Sequence, residues 1–146
     1  MHGDDLGQVL ERIRRLAATA GIRGEVDREQ GMFHAPCEFD DGGRLAVLMQ
    51  PTRMGRDGLL AVTVTCPVLH FSERRPIPED LAMELLRRNE RLCYARYGVR
   101  DLEEGGLVVA SVDHPLEGLD PDRLHAMVQA VVQAAADLRR ALEPPA

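Results

Sequence analysis

The chain has 146 residues, a mass of 16.2 kDa and a formal net charge of -6, with 18 arginines and no lysine. Such an acidic chain is at a disadvantage for binding nucleic acid or an anionic membrane, because both ligands are negatively charged. The lack of lysine excludes Schiff-base chemistry and the phosphate-binding P-loop, and an aromatic content of 3% disfavours sites built on base stacking. A chain of this length can bury a core without a disulfide or a metal.

The cysteines indicate a reducing environment. Cys37, Cys66 and Cys93 form an odd and widely spaced set, unlike the even, dense framework of a small secreted protein. The first residues lack the basic and apolar segments of a signal peptide. No run approaches the ~20 apolar residues that cross a bilayer. We therefore expect a cytoplasmic protein with reduced thiols and with neither a nucleic-acid nor a membrane partner.

Residues 6–20 have the pattern of an amphipathic helix. Their apolar positions recur with a period near 3.6: Leu6, Val9, Leu10, Ile13, Leu16, Ala17 and Ala20. Asp4 or Asp5 is expected to cap the start of this helix, and Gly21 to end it in the left-handed conformation.

Strand-like segments follow the first helix. Apolar and polar residues alternate over residues 33–39, and residues 40–43, with the sequence Asp-Asp-Gly-Gly, predict a hairpin turn. Residues 45–50 predict a second strand, residues 51–58 a polar connection, and residues 59–69 a third strand. Two prolines cannot donate to a strand ladder and therefore predict an edge or a strand end: Pro36 and Pro67.

Prolines at positions 76 and 78 end this region and precede a second helix. Its apolar residues are Leu81, Leu85, Leu86 and Leu92. Residues 95–102 predict a fourth strand, residues 103–106 a glycine-containing turn, and residues 107–112 a fifth strand. The last helix is expected to have Asp120 as its cap and Pro121 as its first residue.

The predicted order of elements is α-β-β-β-α-β-β-α. Short turns between consecutive strands imply antiparallel neighbours, so the sequence predicts an α+β fold in which helices cover an antiparallel sheet. We expect a single domain over residues 1–146, with residues 143–146 as a frayed tail.

This order of elements, in an acidic chain of this size, resembles the type III secretion chaperone-like fold, and within it the YbjN-like family. The resemblance covers nearly the whole chain. It depends on a helix with an asparagine that leads into a strand, a glycine turn, a second strand and a helix that begins with aspartate. The corresponding segments are Leu85-Leu86-Arg87-Arg88-Asn89, Tyr97-Gly98-Val99-Arg100, Gly105-Gly106-Leu107-Val108-Val109 and Leu119-Asp120-Pro121-Asp122-Arg123-Leu124.

The resemblance implies a homodimer that binds another polypeptide and has neither enzymatic activity nor a cofactor. Secretion chaperones of this fold pair largely through the second helix and the adjoining sheet. This implies a dimer interface that includes Leu81, Leu85 and Leu92. They hold an unfolded segment of a client protein on exposed apolar surface, partly by strand addition. The identity of a client does not follow from the resemblance.

The segment of residues 33–39 is the predicted site for such a client. Pro36 favours an edge position, and an edge strand offers unpaired backbone groups to an extended peptide. Pockets for client side chains would be lined by Val9, Ile13, Phe33 and Phe39. Equally, these four residues are candidates for the intramolecular core, and the sequence leaves both interpretations open.

A metal-dependent protein or a small enzyme is an alternative, with His34, Cys37, Cys66 and His70 as possible ligands. Strand alternation argues against it, because His34 and Cys37 face opposite sides of a regular strand and Cys66 and His70 lie roughly 13 Å apart. Asp113 and His114 could likewise form an acid–base pair. However, adjacent residues of a strand point away from each other.

A regulatory module that binds an acidic ligand is a third possibility. It depends on a concentration of positive charge around the end of the second helix, at Arg87, Arg88, Arg91, Arg96 and Arg100. The simpler interpretation is a solvated helix face whose arginines pair with neighbouring glutamates.

Overall fold

The computed structural model describes residues 3–38 and 44–143. Three helices are present: α1 (Gly3–Thr19), α2 (Leu81–Arg91) and α3 (Pro121–Leu142). Six strands are present: β1 (Glu25–Asp27), β2 (Met32–Glu38), β3 (Arg44–Met54), β4 (Leu59–Phe71), β5 (Arg96–Asp101) and β6 (Gly106–Pro115). The predicted turn at residues 40–43 and the tail at residues 144–146 lie outside the described residues.

The strands form one antiparallel sheet in the order β1-β2-β3-β4-β6-β5. The predicted α+β class with an antiparallel sheet covered by helices is therefore confirmed. The sequence prediction missed β1, because Glu25-Val26-Asp27 is too short and too polar to show an alternating pattern. Residues 51–58 are not a polar connection throughout, since β3 continues to Met54 by pairing with the start of β4.

The predicted helix ends are confirmed at two of three places. Gly21 has a φ of +80° and follows the last residues of α1, and the Ile22 N–H donates to the Ala17 carbonyl over 2.8 Å. The Asp120 side chain accepts a hydrogen bond from the Arg123 N–H over 2.7 Å, as an N-cap does. The predicted start of α1 is wrong, because the helix already begins at Gly3, before Asp4 and Asp5.

The core lies between the sheet and the helices α1 and α3. Alternate residues of the central strands face this core and are fully buried, for example Val47, Val62, Val64 and Val108. The opposite sheet face carries hydrogen-bonding side chains near its centre: Gln50, Thr63, Thr65 and Ser111. The described helices include none that is both long enough and apolar enough to span a membrane.

Each proline lies where pairing with one neighbouring strand has ended. Pro67 lies inside β4, two residues beyond the ladder with β3, which ends at Thr65, and the register with β6 shifts between Pro67 and Leu69. A bulge tolerates the missing N–H there. Pro36 lies on β2, whose outer side pairs with β1 only over residues 32–34. Within the described part of the chain, residues 35–38 of β2 therefore form a sheet edge, which we call the β2 edge.

Replacement of Ile13 by alanine tests the packing of α1. Ile13 is 1% exposed and lies in the main core cluster, so Ile13→Ala should lower the free energy of unfolding by roughly 2–5 kcal/mol. Urea denaturation measures this change. Arg15→Ala, on the exposed side of the same helix, is the control and should change stability by less than about 0.5 kcal/mol. Equal effects of both changes would contradict the packing described here.

Candidate partner-binding surfaces

The residues predicted to bind a partner lie mainly inside the protein. Ile13 and Phe33 are each 1% exposed and Val9 is 9% exposed, while Phe39 lies outside the described residues. A side chain that is 1% exposed cannot contact a partner while the fold stays closed. For Ile13 and Phe33 the packing therefore favours the core interpretation that the sequence left open.

Val9 differs because it also lines a groove on the surface. This α1 groove has a volume of about 350 Å³ and lies between the first half of α1, the β3–β4 hairpin and the segment that connects β6 to α3. Its lining residues are Asp5, Gln8, Val9, Arg12, Arg53, Leu60 and Leu116. Val9 and Leu116, which are 9% and 4% exposed, form the apolar floor of the groove with the half-buried Leu60, and the other lining side chains are polar and exposed. The groove can therefore contact a ligand that is apolar at one point and polar beside it.

Two arginines of the α1 groove are held by backbone carbonyls. Arg12 donates from Nη2 to the Leu116 carbonyl over 3.3 Å, and Arg53 donates from Nη1 to the Gly58 carbonyl over 3.0 Å. Each guanidinium has five N–H groups, so both keep donors for a further ligand. The short hairpin turn at residues 55–58 positions Arg53, since the Gly58 N–H donates back to the Gly55 carbonyl over 3.3 Å.

Phe33 contributes to a different depression, at the other end of α1. Its lining residues are Arg14, Ala18, Gly21, Ile22, Arg23, Gly24 and Phe33. Gly24 is needed there, because a Cβ at this position would lie 2.1 Å from the His34 carbonyl oxygen and 2.7 Å from the Phe33 ring. The structure therefore does not bring Val9 and Phe33 into one pocket.

The predicted dimer residues of α2 also face inward. Leu81 and Leu85 are 4% and 6% exposed, and Leu92 is half-buried after the helix ends. The resemblance implied that these three leucines lie at a dimer interface. In this fold, Leu81 and Leu85 instead occupy the face of α2 that packs on the core. Two other apolar residues of the same helix, Met83 and Leu86, point outward.

The exposed apolar residues of this region lie instead on the outer side of α2, on β5 and in the turns that flank β5. These five residues are between 40% and 64% exposed and are Met83, Leu86, Tyr94, Val99 and Leu102. We call this set of residues the α2–β5 surface. It includes the outer edge of the sheet, because β5 pairs only with β6.

Tyr94 adopts an unusual backbone conformation on this surface. Its φ of +80° makes it the one non-glycine residue with positive φ in the described chain. A bulky side chain in this region costs roughly 1–2 kcal/mol relative to the ordinary conformation, and glycine avoids the cost. Tyr94 is nevertheless 40% exposed, so packing in the core does not by itself account for a tyrosine at this position.

Asn89 connects α2 to the edge strand. Its Oδ1 accepts from the Tyr97 N–H over 2.7 Å, and its Nδ2 donates to the Tyr97 carbonyl over 3.0 Å. The amide side chain thus occupies both outward backbone groups of one residue of β5, as a neighbouring strand would. The Tyr97 hydroxyl donates to the Ala134 carbonyl of α3 over 2.5 Å, which ties the same residue to the core.

The arginines near the end of α2 are not collected into one site. Arg88 pairs with Glu84 over 3.0 Å and Arg96 with Asp113 over 2.8 Å. Arg100 donates to Gln50 and Thr65, each over 3.1 Å, on the sheet face opposite the core. The remaining two, Arg87 and Arg91, are exposed on α2. A single binding site for an acidic ligand at these five arginines is not formed.

The candidate metal ligands are not gathered into one site. His34 lies on the sheet face opposite the core, Cys37 and Cys66 face the core, and His70 is exposed near the end of β4. Within residues 3–38 and 44–143, no three His, Cys, Asp or Glu side chains are grouped closely enough to hold a metal ion. Burial raises the pKa of the Cys66 thiol to about 12, so this sulfur stays protonated near neutral pH and is a poor ligand or nucleophile. Burial also raises the pKa of the half-buried Cys37 thiol.

Asp113 and His114 do not form a catalytic pair. Asp113 accepts from Thr63 over 2.5 Å and from Arg96 over 2.8 Å. His114 places its Nδ1 2.7 Å from the Pro115 carbonyl. Each side chain is therefore engaged by different partners, as alternation along β6 predicts.

The sequence profile of the YbjN family, described as "Putative bacterial sensory transduction regulator", matches residues 9–144. The chain belongs to the YbjN family. No curated protein matches it. Among solved structures, eight chains match, and one of them is from "Structure of the HopA1-SchA Chaperone-Effector Complex". That chain is 13% identical with a TM-score of 0.56, over 92% of this chain and 94% of its own length.

These comparisons confirm the resemblance to a secretion-chaperone-like fold and to the YbjN-like family. At 13% identity, the structural likeness concerns the fold alone. In this YbjN-family chain, the helix asparagine that contributed to the resemblance is Asn89, and its role here is to bind the backbone of β5.

Removal of the Asn89 amide should leave two backbone groups of Tyr97 without their partner. We expect Asn89→Ala to lower the free energy of unfolding by roughly 1–3 kcal/mol and to accelerate hydrogen exchange of the Tyr97 amide. Gln133→Ala is the control, because Gln133 bonds only to the exposed Asp137 side chain. A Tyr97 amide that stays equally protected in Asn89→Ala would show that the side chain does not shield this edge.

Proposed function

We propose that this YbjN-family protein is a homodimeric polypeptide-binding protein that holds an extended segment of a client protein. One observation carries the proposal. The chain has the fold of a chain in a chaperone–effector complex. A groove beside α1 and exposed apolar residues on α2 and β5 further support the proposal. The proposed role includes no catalytic step, and the side chains that suggested chemistry are held apart.

The client surfaces are the α1 groove and the β2 edge. Residues 35–38 of β2 have no strand on their outer side among the described residues, so an extended peptide can pair there through its backbone. Backbone pairing gives affinity with little demand on client sequence, and the groove adds preference for particular side chains. Pairing along the whole edge is limited, because β1 already covers residues 32–34 and Pro36 has no N–H to donate.

The α2–β5 surface is the proposed dimer interface. Its outward residues, led by Leu86 at 64% exposed, form an apolar surface at one edge of the sheet, as many two-fold interfaces do. Asn89 occupies the backbone of Tyr97, so we expect side chains of α2 and β5 to carry most of this contact. Backbone pairing between copies would then contribute less.

We further propose that the protein functions in the cytoplasm. Cys37, Cys66 and Cys93 are all unbridged, which suits a reducing compartment.

Client binding can be measured with a permanently unfolded probe, reduced and carboxymethylated α-lactalbumin labelled with a fluorophore. We expect the wild-type protein to raise the anisotropy of this probe, and native α-lactalbumin to give no change. Leu60→Asp should weaken the binding by placing a charge on the apolar side of the α1 groove. Leu59→Asp is the matched control, because Leu59 is exposed on β4 but neither lines the α1 groove nor belongs to the β2 edge or the α2–β5 surface. Failure of the wild-type protein to bind the unfolded probe would contradict the proposed function.

The dimer can be tested by sedimentation equilibrium, in which the wild-type protein should have twice the chain mass of 16.2 kDa. Leu86→Glu should give a monomer with unchanged circular dichroism, because Leu86 contacts solvent and not the core. Leu59→Glu changes another exposed leucine, on β4, and should leave the dimer intact. A monomeric wild-type protein at micromolar concentration would overturn this interface.

In the same experiment, Tyr94→Gly distinguishes a weaker dimer interface from a less stable monomer. Glycine relieves the positive-φ conformation, so the stability of the monomer should be retained or raised by about 1 kcal/mol. The dimer should nevertheless weaken because the exposed ring is lost.

A further inference from the structure

The α1 groove combines an apolar surface with positive charge, in a chain whose net charge is -6. Arg12 lies on α1 and Arg53 on β3, so two separate elements each bring a guanidinium to the same groove. The apolar contacts come from Val9 on α1, Leu60 on β4 and Leu116 directly after β6. The arrangement is therefore produced by the tertiary structure.

The two groove arginines differ from most others whose contacts are described. Five arginines form ion pairs with a carboxylate: Arg14, Arg44, Arg88, Arg96 and Arg140. Among the side chains that the structure describes, neither Arg12 nor Arg53 forms such a pair, and each donates only to a backbone carbonyl. The carbonyl contacts orient the guanidiniums without neutralising their charge, which leaves both able to bind an external carboxylate.

We propose that the α1 groove binds a client segment in which a large apolar side chain stands next to an aspartate or glutamate. The apolar side chain packs on Val9, Leu60 and Leu116, and the carboxylate accepts hydrogen bonds from Arg12 and Arg53. This inference rests on the proposed function and specifies the chemistry of the client that the groove selects.

The size and the remaining charge of the groove limit the occupant. A volume of about 350 Å³ is at the small end of ligand pockets, which suits one or two side chains and not a folded domain. Asp5 lies on the same groove and repels further negative charge on its side. The groove thus favours one acidic residue beside an apolar one over a run of acidic residues.

The test is a selection of displayed random peptides on the full-length protein, followed by affinity measurements on the peptides that are enriched. We expect enriched peptides to contain leucine, isoleucine, methionine or phenylalanine adjacent to Asp or Glu. Their binding should weaken with added salt, since the groove arginines are exposed. Replacement of the acidic residue by its amide should weaken binding by about tenfold, which corresponds to about 1.4 kcal/mol.

Variants of the protein assign this preference to the groove. Arg12→Gln and Arg53→Gln together should remove the difference between the acidic peptide and its amide. Arg53→Glu should reverse the preference, so that peptides with Lys or Arg in place of the acidic residue bind more tightly. Arg15→Gln and Arg74→Gln together, an equal loss of two charges at exposed positions outside the groove, should retain the preference.

The outcomes separate this inference from the proposed function. Enriched peptides without an acidic residue, or an acidic preference that survives in the double variant, would overturn the inference and leave polypeptide binding intact. A selection that enriches no peptide, together with no binding of the unfolded probe, would overturn both.

Discussion

The packing of α1 and α3 on one face of the six-stranded sheet is the interaction on which the rest of the structure depends. This contact buries the apolar stripe of each helix. Burial of each large side chain contributes roughly 1.5–3 kcal/mol to the free energy of unfolding. Residues on the inner stripes, such as Ile13 and Leu138, are therefore unavailable to a partner. Any binding surface must come from groove edges, strand edges and outward helix faces.

The position of α2 follows from the same core, with additional polar contacts at its end. Leu81 and Leu85 pack inward, and Asn89 binds the backbone of Tyr97 at the edge strand. Because Tyr97 also donates to a carbonyl of α3, the end of α2, β5 and α3 are connected through one residue. Burial raises the pKa of the Tyr97 phenol, so the hydroxyl remains a donor near neutral pH. This connection makes the two edges of the sheet different: the β5 edge is partly occupied by a side chain, whereas the β2 edge is open over residues 35–38.

Charge is distributed unevenly over this acidic chain. Most arginines with described side-chain contacts are paired with carboxylates close by in sequence or in the sheet, and such exposed pairs contribute little to stability. Arg12 and Arg53 are oriented by backbone carbonyls instead, so their charge remains directed at the α1 groove. A groove of this kind can select a client by its charge without making the whole protein attractive to anions.

The sequence by itself determined the three helices and five of the six described strands, the antiparallel α+β class, the cap at Asp120 and the family, because these depend on periodicity, turn chemistry and the order of short motifs. It also placed Val9, Ile13 and Phe33 on apolar faces, but periodicity cannot tell whether such a face meets the protein's own sheet or a partner. Only the tertiary structure decided that Ile13 and Phe33 are core, that Leu86 and Tyr94 are exposed whereas Leu81 and Leu85 are buried, and that Arg12 and Arg53 line one groove. These outcomes depend on contacts between residues far apart in the chain, and the free energy of such contacts leaves no local pattern in the sequence.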